Sequence, residues 1–233
     1  MKISINSSLI KRNKIISQFV LYISIGLIAL GILLTLSNPS SAQTFLVYLI
    51  LIPAYLLMQI NVVMMNKYGK SPRVDEIITQ SLKGLDNKYS LFHYTTGISH
   101  LLVGPAGVWI IKPYHQVGEI TYDESKKKYK QKGGGNVLSK FLTQDSIGDI
   151  QHETKTALHG LKRYFNKIGL ENYPIPIAVN FFYNKEVEVQ ARNAPEFTIK
   201  NDKLKDLVRQ KAKKTPISDS IIEKILKKLP ETF

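Results

Sequence analysis

Two long stretches without a single charged side chain constrain this chain more than anything else in it. Residues 15–36 form 22 consecutive positions free of Asp, Glu, Lys, Arg and His, and residues 45–65 form 21 more. As helices, each is long enough to cross the roughly 30 Å hydrocarbon layer of a bilayer. The connector 37–44 (SNPSSAQT) is also uncharged, and its Asn38-Pro39 pair suits a turn, so the two spans read as a helical hairpin. A cleaved signal peptide is the competing reading, with Ser40 and Ala42 near a processing site. It fits poorly, because 22 apolar positions exceed the 7–15 of a signal core and a second span follows.

Charge placement orients the hairpin. Lys2, Lys11, Arg12 and Lys14 precede the first span, Lys67, Lys70 and Arg73 follow the second, and none lies between. The positive-inside bias therefore predicts a two-pass cell-membrane protein with its N-terminus and everything after Arg73 in the cytoplasm. Neither span carries an ionisable group of the kind that marks ion or proton pathways, which argues against a transporter. Pro53 is placed to kink the second span. Gln59 and Asn61 are placed to hydrogen-bond to the first span or to another copy, or to sit in the wet interface.

The net charge is +14; residues 1–73 hold seven basic and no acidic groups, and the rest of the chain holds 25 basic and 18 acidic. Half of the excess is thus membrane topology. The other half suits either nucleic acid or an anionic leaflet, where each well-placed Lys or Arg gains on the order of 1 kcal/mol. The absence of cysteine excludes disulfides and thiolate metal sites.

After Ser71-Pro72 the pattern predicts an amphipathic helix over 74–85, with Asp75 and Glu76 in its first turn. Strands follow at 89–94, 100–103, 108–111 and 118–122, and the turn Gly104-Pro105-Ala106-Gly107 joins the middle pair. Those middle two are apolar without alternation, as in strands covered on both faces. The charged stretch 123–132 (DESKKKYKQK) leads into a fifth strand around Tyr129, and Gly133 to Gly135 mark a flexible link. Helices are predicted around 137–142 and over 151–168, a buried strand over 175–182, and an edge strand at Val187 and Val189. Helices over 203–213 and 221–229 close the chain, the last with capping-box spacing at Ser220 and Glu223. This order predicts an α/β sandwich around a mixed sheet. The divisions expected are 1–73 (basic segment and spans), 74–200 (α/β domain) and 201–233 (helical segment).

The run GPAGVWII followed by a Gly-Glu-Ile strand resembles the nuclease-related domain (NERD) family, over roughly residues 75–190. HLLVGPAGVWII, HQVGEITY and residues 187–207, through Ala194-Pro195, resemble a membrane-anchored bacterial subgroup of it. The resemblance implies a restriction-endonuclease-like fold. It also implies a site in which an Asp on one strand and a Glu/Asp-x-Lys triplet on the next hold a divalent cation that activates water. Carried over position by position, the Asp falls on Ser99, the acid of the triplet on Lys112 and its lysine on Tyr114, with Glu76 and Gln151 as the supporting helical residues. All three central positions depart from the pattern. An ammonium at Lys112 would repel a nearby divalent ion by several kcal/mol at an effective dielectric of about 20.

The expected function is therefore a membrane-anchored, catalytically inactive NERD-like module that binds or scaffolds at the cytoplasmic face of the bilayer, with nucleic acid or another protein as partner and no cofactor. One alternative is a Mg²⁺-dependent nuclease whose site has migrated to Glu119 with His100 or His115. A structural membrane protein with a basic, lipid-facing domain is the other. Lys126, Lys127, Lys128, Lys130 and Lys132 form a candidate finger for nucleic-acid or lipid phosphates, against the plainer reading of a solvated turn. The glycine triplet lacks the Lys and Ser/Thr of a phosphate-binding loop. Trp109 reads as core, and His152 and His159 as surface or capping groups. Convergence of Ser99, Lys112, Tyr114 and Glu119 on one open pocket would favour binding; scatter would favour a scaffold.

Overall fold

The computed structural model describes residues 1–37, 40–135 and 146–231, and the chain divides into two compact units: Ser7–Arg73, and Met1–Asn6 together with Val74–Phe233. The first unit is the helical hairpin. α1 (Ser7–Leu36) and α2 (Ser41–Met64) pack along their length, and a π-helical turn (Met65–Gly69) extends α2. Ile10, Ser17, Ser24 and Gly31 recur every seven residues and are buried, as are Val47, Ala54 and Asn61. Small side chains at this seam let the backbones approach closely. The Asn61 amide donates to the Ser17 carbonyl, so the hydrogen bond to the first helix is the alternative that holds for Asn61. α2 runs unbroken through Pro53. The outward faces are strongly apolar, with Phe19, Leu33 and Phe45 each about two-thirds exposed (64%, 65% and 64%). Both helices are long and apolar enough to cross a membrane. The expected turn at Asn38-Pro39 lies outside the described residues.

The second unit is a mixed six-stranded sheet with helices on both faces, plus a three-stranded sheet. Its strands are β1 (Lys2–Ile5), β2 (Ser90–His93), β3 (His100–Gly104), β4 (Gly107–Tyr114), β5 (Gly118–Asp123), β6 (Lys128–Lys132), β7 (Ile177–Phe182), β8 (Val187–Gln190) and β9 (Phe197–Lys200). Its helices are α3 (Val74–Ser81), α4 (Ile150–Lys167), α5 (Leu204–Lys214) and α6 (Asp219–Leu226). The large sheet has the order β1-β2-β3-β4-β7-β9: an antiparallel β2-β3-β4 meander, with β1 parallel to β2 on one side and β7 then β9 parallel to β4 on the other. The small sheet, β6-β5-β8, places β8 at an edge, as its polar alternation predicts.

Because strand side chains alternate, the sheet feeds two cores. Leu91, Leu102, Trp109 and Ile111 point to one face, where Ile78 of α3, Leu82 just after it, and Leu204 and Val208 of α5 cover them. Phe92, Leu101, Val103, Val108 and Ile110 point to the other, under Leu161 and Phe165 of α4 and Ile222 and Ile225 of α6. β3 is buried throughout, which explains its unbroken apolar pattern. Trp109 is fully buried, its indole donating to the Ala106 carbonyl at 3.0 Å.

Several elements differ from the sequence expectation. Met1–Asn6, read as part of the N-terminal basic segment with the spans, instead supplies strand β1 of the α/β unit, where it pairs with β2. Residues 201–231 do not stand apart, since α5 and α6 each close one core. β9 went unread, β4 runs three residues past the expected 108–111 to include Lys112 and Tyr114, and two sheets form rather than one. The last helix has Ser218, not Ser220, at its N-cap position, and that side chain makes no capping hydrogen bond. The helix expected around 137–142 lies outside the described residues.

Candidate functional site

β4 carries its apolar alternation as far as Ile110 on the α4 face, and the next residue on that face is Lys112. There it meets the start of α4, which Asp149 caps by accepting from the His152 N–H at 3.0 Å. Glu153, in the first turn, sits where the helix dipole favours a carboxylate. Lys112 Nζ donates to Glu153 Oε2 at 3.1 Å and to Thr154 Oγ1 at 3.5 Å, and the Tyr114 hydroxyl donates to the same Glu153 oxygen at 2.8 Å. The ammonium also lies 5.3 Å from the centre of the Tyr114 ring.

The polar contacts continue inward across three parallel strands, because Lys112, Asn180 and Thr198 are lateral neighbours in the β4-β7-β9 register. Thr154 Oγ1 donates to Asn180 Oδ1 at 3.4 Å, and Asn180 Nδ2 donates to Thr198 Oγ1 at 3.2 Å and to the Tyr129 hydroxyl at 3.3 Å. Tyr129 in turn donates to Glu196 at 3.1 Å. Asn180 is fully buried, and hydrogen bonds to it offset the cost of burying an amide in a strand core.

Solvent access across the ion pair is unequal: the Lys112 side chain is 13% exposed and that of Glu153 48%. Burial lowers the Lys112 pKa, with the Glu153 carboxylate opposing the shift. Burial, reinforced by Glu153, pushes the Tyr114 phenol well up, and burial raises that of Tyr129. Both phenols thus stay protonated at neutral pH and serve as donors rather than bases.

An open groove of ≈ 380 Å³ runs between α4, the end of β4 and the turn before β3. Gly97 lets that turn approach the helix closely, since a Cβ there would stand 2.8 Å from Cβ of Tyr164. Ser99, Lys112 and Tyr114 all line this groove, together with Glu153 and, further along α4, Arg163. Three of the four positions singled out from the sequence therefore converge. Glu119 does not join them: it lies on β5 opposite Lys132, in the small sheet.

The remaining candidates fall elsewhere. Glu76 belongs to α3, whose Ile78 packs on the opposite face of the large sheet from α4. Gln151 donates to the Tyr122 hydroxyl at 3.1 Å. His100 is 1% exposed and shares a 2.8 Å Nδ1···Nδ1 contact with His93. His115 follows β4 and uses its carbonyl to accept from Asn184. Among the described residues no group of three or more His, Asp or Glu is placed to hold a metal ion. The five lysines 126, 127, 128, 130 and 132 are all exposed. Lys130 pairs with Asp123 at 2.6 Å; this contact, with Ser125 and the Lys126 N–H, holds the Asp123 carboxyl below its ordinary range.

Glu153, Thr154, Arg163 and Asn180 were not picked out from the sequence. Asn180 left a trace, as the one polar residue within the apolar strand IAVNFF. Glu153 and Arg163 read only as solvated helix charges. No family model, curated protein or solved structure matches the chain.

Proposed function

We propose that this protein is a two-pass membrane protein whose cytoplasmic part is a nuclease-related domain of restriction-endonuclease-like fold that has lost hydrolysis and retains binding. The observation that carries this reading is the Lys112 ammonium clamped by Glu153 and Tyr114 in the groove that also holds Ser99. A divalent ion there would meet a resident cation, and Ser99 offers a hydroxyl where a carboxylate is needed. The same groove suits an anionic ligand, since it holds Lys112 and Arg163 against the single carboxylate of Glu153.

The fold assignment draws support from chain order: helix α3, the β2-β3-β4 meander, helix α4, then β7 parallel to β4. Membrane sidedness draws support from connectivity. The chain leaves the α/β unit after Asn6 for the hairpin and returns to it at Val74, so both ends of the hairpin belong on one side. The flanking Lys and Arg residues make that side the cytoplasm.

The full chain in lipid nanodiscs is expected to leave DNA and RNA intact with Mg²⁺ or Mn²⁺, and to retain nucleic acid in a manner that weakens steeply with salt. Cleavage that appears only with the divalent ion, and disappears in Glu119→Ala, would restore the nuclease reading. Retention by anionic-lipid discs with none of nucleic acid would favour the lipid-facing alternative.

A further inference from the structure

The face of α4 that walls the groove extends beyond it. Asp149, Glu153, Thr156, Gly160 and Arg163 follow one another at spacings of three or four, so they form one stripe along the helix. Around Asp149, at the start of that stripe, lies a second opening of ≈ 210 Å³, lined by Lys127 and Lys128 of the β5–β6 turn. Lys112 enters beside Glu153, and Arg163 lies at the other end. Fourteen residues separate Asp149 from Arg163, about 21 Å of helix at ~1.5 Å per residue. Cations are thus offered at the beginning, about one turn further on and at the end of a line.

Both acids on the stripe are already engaged. Asp149 caps the helix, and Glu153 holds Lys112 and Tyr114. Lys127, Lys128 and Arg163 form no ion pair among the described residues. From this arrangement we infer that the α4 stripe is a track for the sugar–phosphate backbone of a single nucleic-acid strand, with Glu153 as the resident anion that an incoming phosphate displaces from Lys112.

A row of separated cations suits a linear polyanion with a phosphate on every unit, whereas a single lipid headgroup would engage one position and leave the others idle. A groove of ≈ 380 Å³ is the size of a small-ligand site. It admits one nucleotide-sized group at a time, which selects a single strand over a duplex. Ile98 and Ala157, between the cations, offer apolar surface to sugar and base edges. Displacement needs no net loss of pairing: Lys112 exchanges a carboxylate oxygen for a phosphate oxygen, while Glu153, already half in water, keeps the Tyr114 hydroxyl.

This inference rests on the binding reading above, and the test separates the two. The full chain in zwitterionic nanodiscs is titrated into a fluorescent 20-mer of deoxythymidylate, without divalent ions, and anisotropy is followed over a range of salt. Single-strand binding is expected to lose about 0.7 of log–log salt slope for each phosphate contact removed. Arg163→Ala, and Lys127→Ala with Lys128→Ala, should each weaken binding and flatten that slope. These side chains are exposed, so their loss spares the fold. Glu153→Gln should bind several-fold tighter, because Lys112 no longer has a competing carboxylate.

If the wild-type protein binds the strand and these variants leave affinity and slope unchanged, the track is wrong and the binding reading stands. An equal loss in Lys155→Ala, which lies off the stripe, would replace the track with diffuse attraction. If the wild-type protein does not bind the strand at all, both readings fall.

Discussion

The ion pair at the head of the groove is lopsided, and the two ways of breaking it should differ in cost. In Glu153→Ala, a Lys112 ammonium that is 13% exposed loses its counter-charge, and the Tyr114 hydroxyl loses its acceptor. Breaking a fully buried pair costs about 3–5 kcal/mol and breaking an exposed one about 0–1. Because the Glu153 side chain is 48% exposed, water screens part of the interaction and an intermediate cost of about 2 kcal/mol is expected. In Lys112→Met the buried charge itself disappears, an apolar stem of similar length fills its place, and Glu153 keeps both Tyr114 and solvent. That substitution should cost less than about 0.5 kcal/mol. Thermal unfolding followed by the only tryptophan, the fully buried Trp109, can separate the two. For a chain of this size Tm should drop by about 4–8 °C for Glu153→Ala and by no more than about 2 °C for Lys112→Met. A Lys112→Met loss equal to or larger than that of Glu153→Ala would refute the claim that burial of the ammonium dominates the pair.

Other consequences can be measured separately. Deleting residues 2–5 removes the strand paired with β2 from Lys2↔Ser90 to Ile5↔His93, so β2 amides should lose hydrogen-exchange protection; unchanged protection would mean that β1 adds little. Gly118 has φ +90°, and a Cβ there would collide with the Lys132 carbonyl, so Gly118→Ala should cost about 2 kcal/mol or more and unseat β6 from β5; a denaturation midpoint equal to wild type would contradict this. Burial pushes the Tyr183 phenol from 10.0 up to about 12 and also raises Tyr114 and Tyr129. The unfolded chain releases these protons first, so the stability they hold below pH 10 should drain away as pH rises past 10, with the Tyr183 share gone by about pH 12 and the other two still falling above it. Tyr89 and Tyr164 are raised as well; Lys112, lowered from 10.5, acts in the opposite sense as one group against five phenols, and a urea midpoint that stays level from pH 9 to 11 would show the sign to be wrong.

How far the sequence could be read depended on the range over which each signal acts. The hairpin was legible because twenty or so uncharged residues in a row admit few other environments, and the β3–β4 hairpin because Gly104 to Gly107 is turn chemistry between two apolar runs. β1 and β9 were not: each is a short edge strand of the large sheet that owes its existence to the partner beside it, and β1 runs directly into the first helix. At the site, Ser99, Lys112 and Tyr114 could be named from the chain only through the resemblance of GPAGVWII and its flanking strands, which puts them in order along neighbouring segments. Glu153 and Arg163 could not, because a charged residue on an amphipathic helix looks the same whether it faces water or a groove.

Sequence alone therefore determined which segments are apolar enough for lipid, where the cations flank them, and that a lysine ends the apolar run of the second strand. Only the tertiary structure decided which carboxylate answers that ammonium. It also set the row of Lys112, Asn180 and Thr198 across three strands, and aligned the cations at both ends of α4. The physical reason is that composition and periodicity act through neighbours along the chain, whereas the pair of Lys112 with Glu153 joins residues 41 positions apart, whose meeting is fixed by strand register and helix packing.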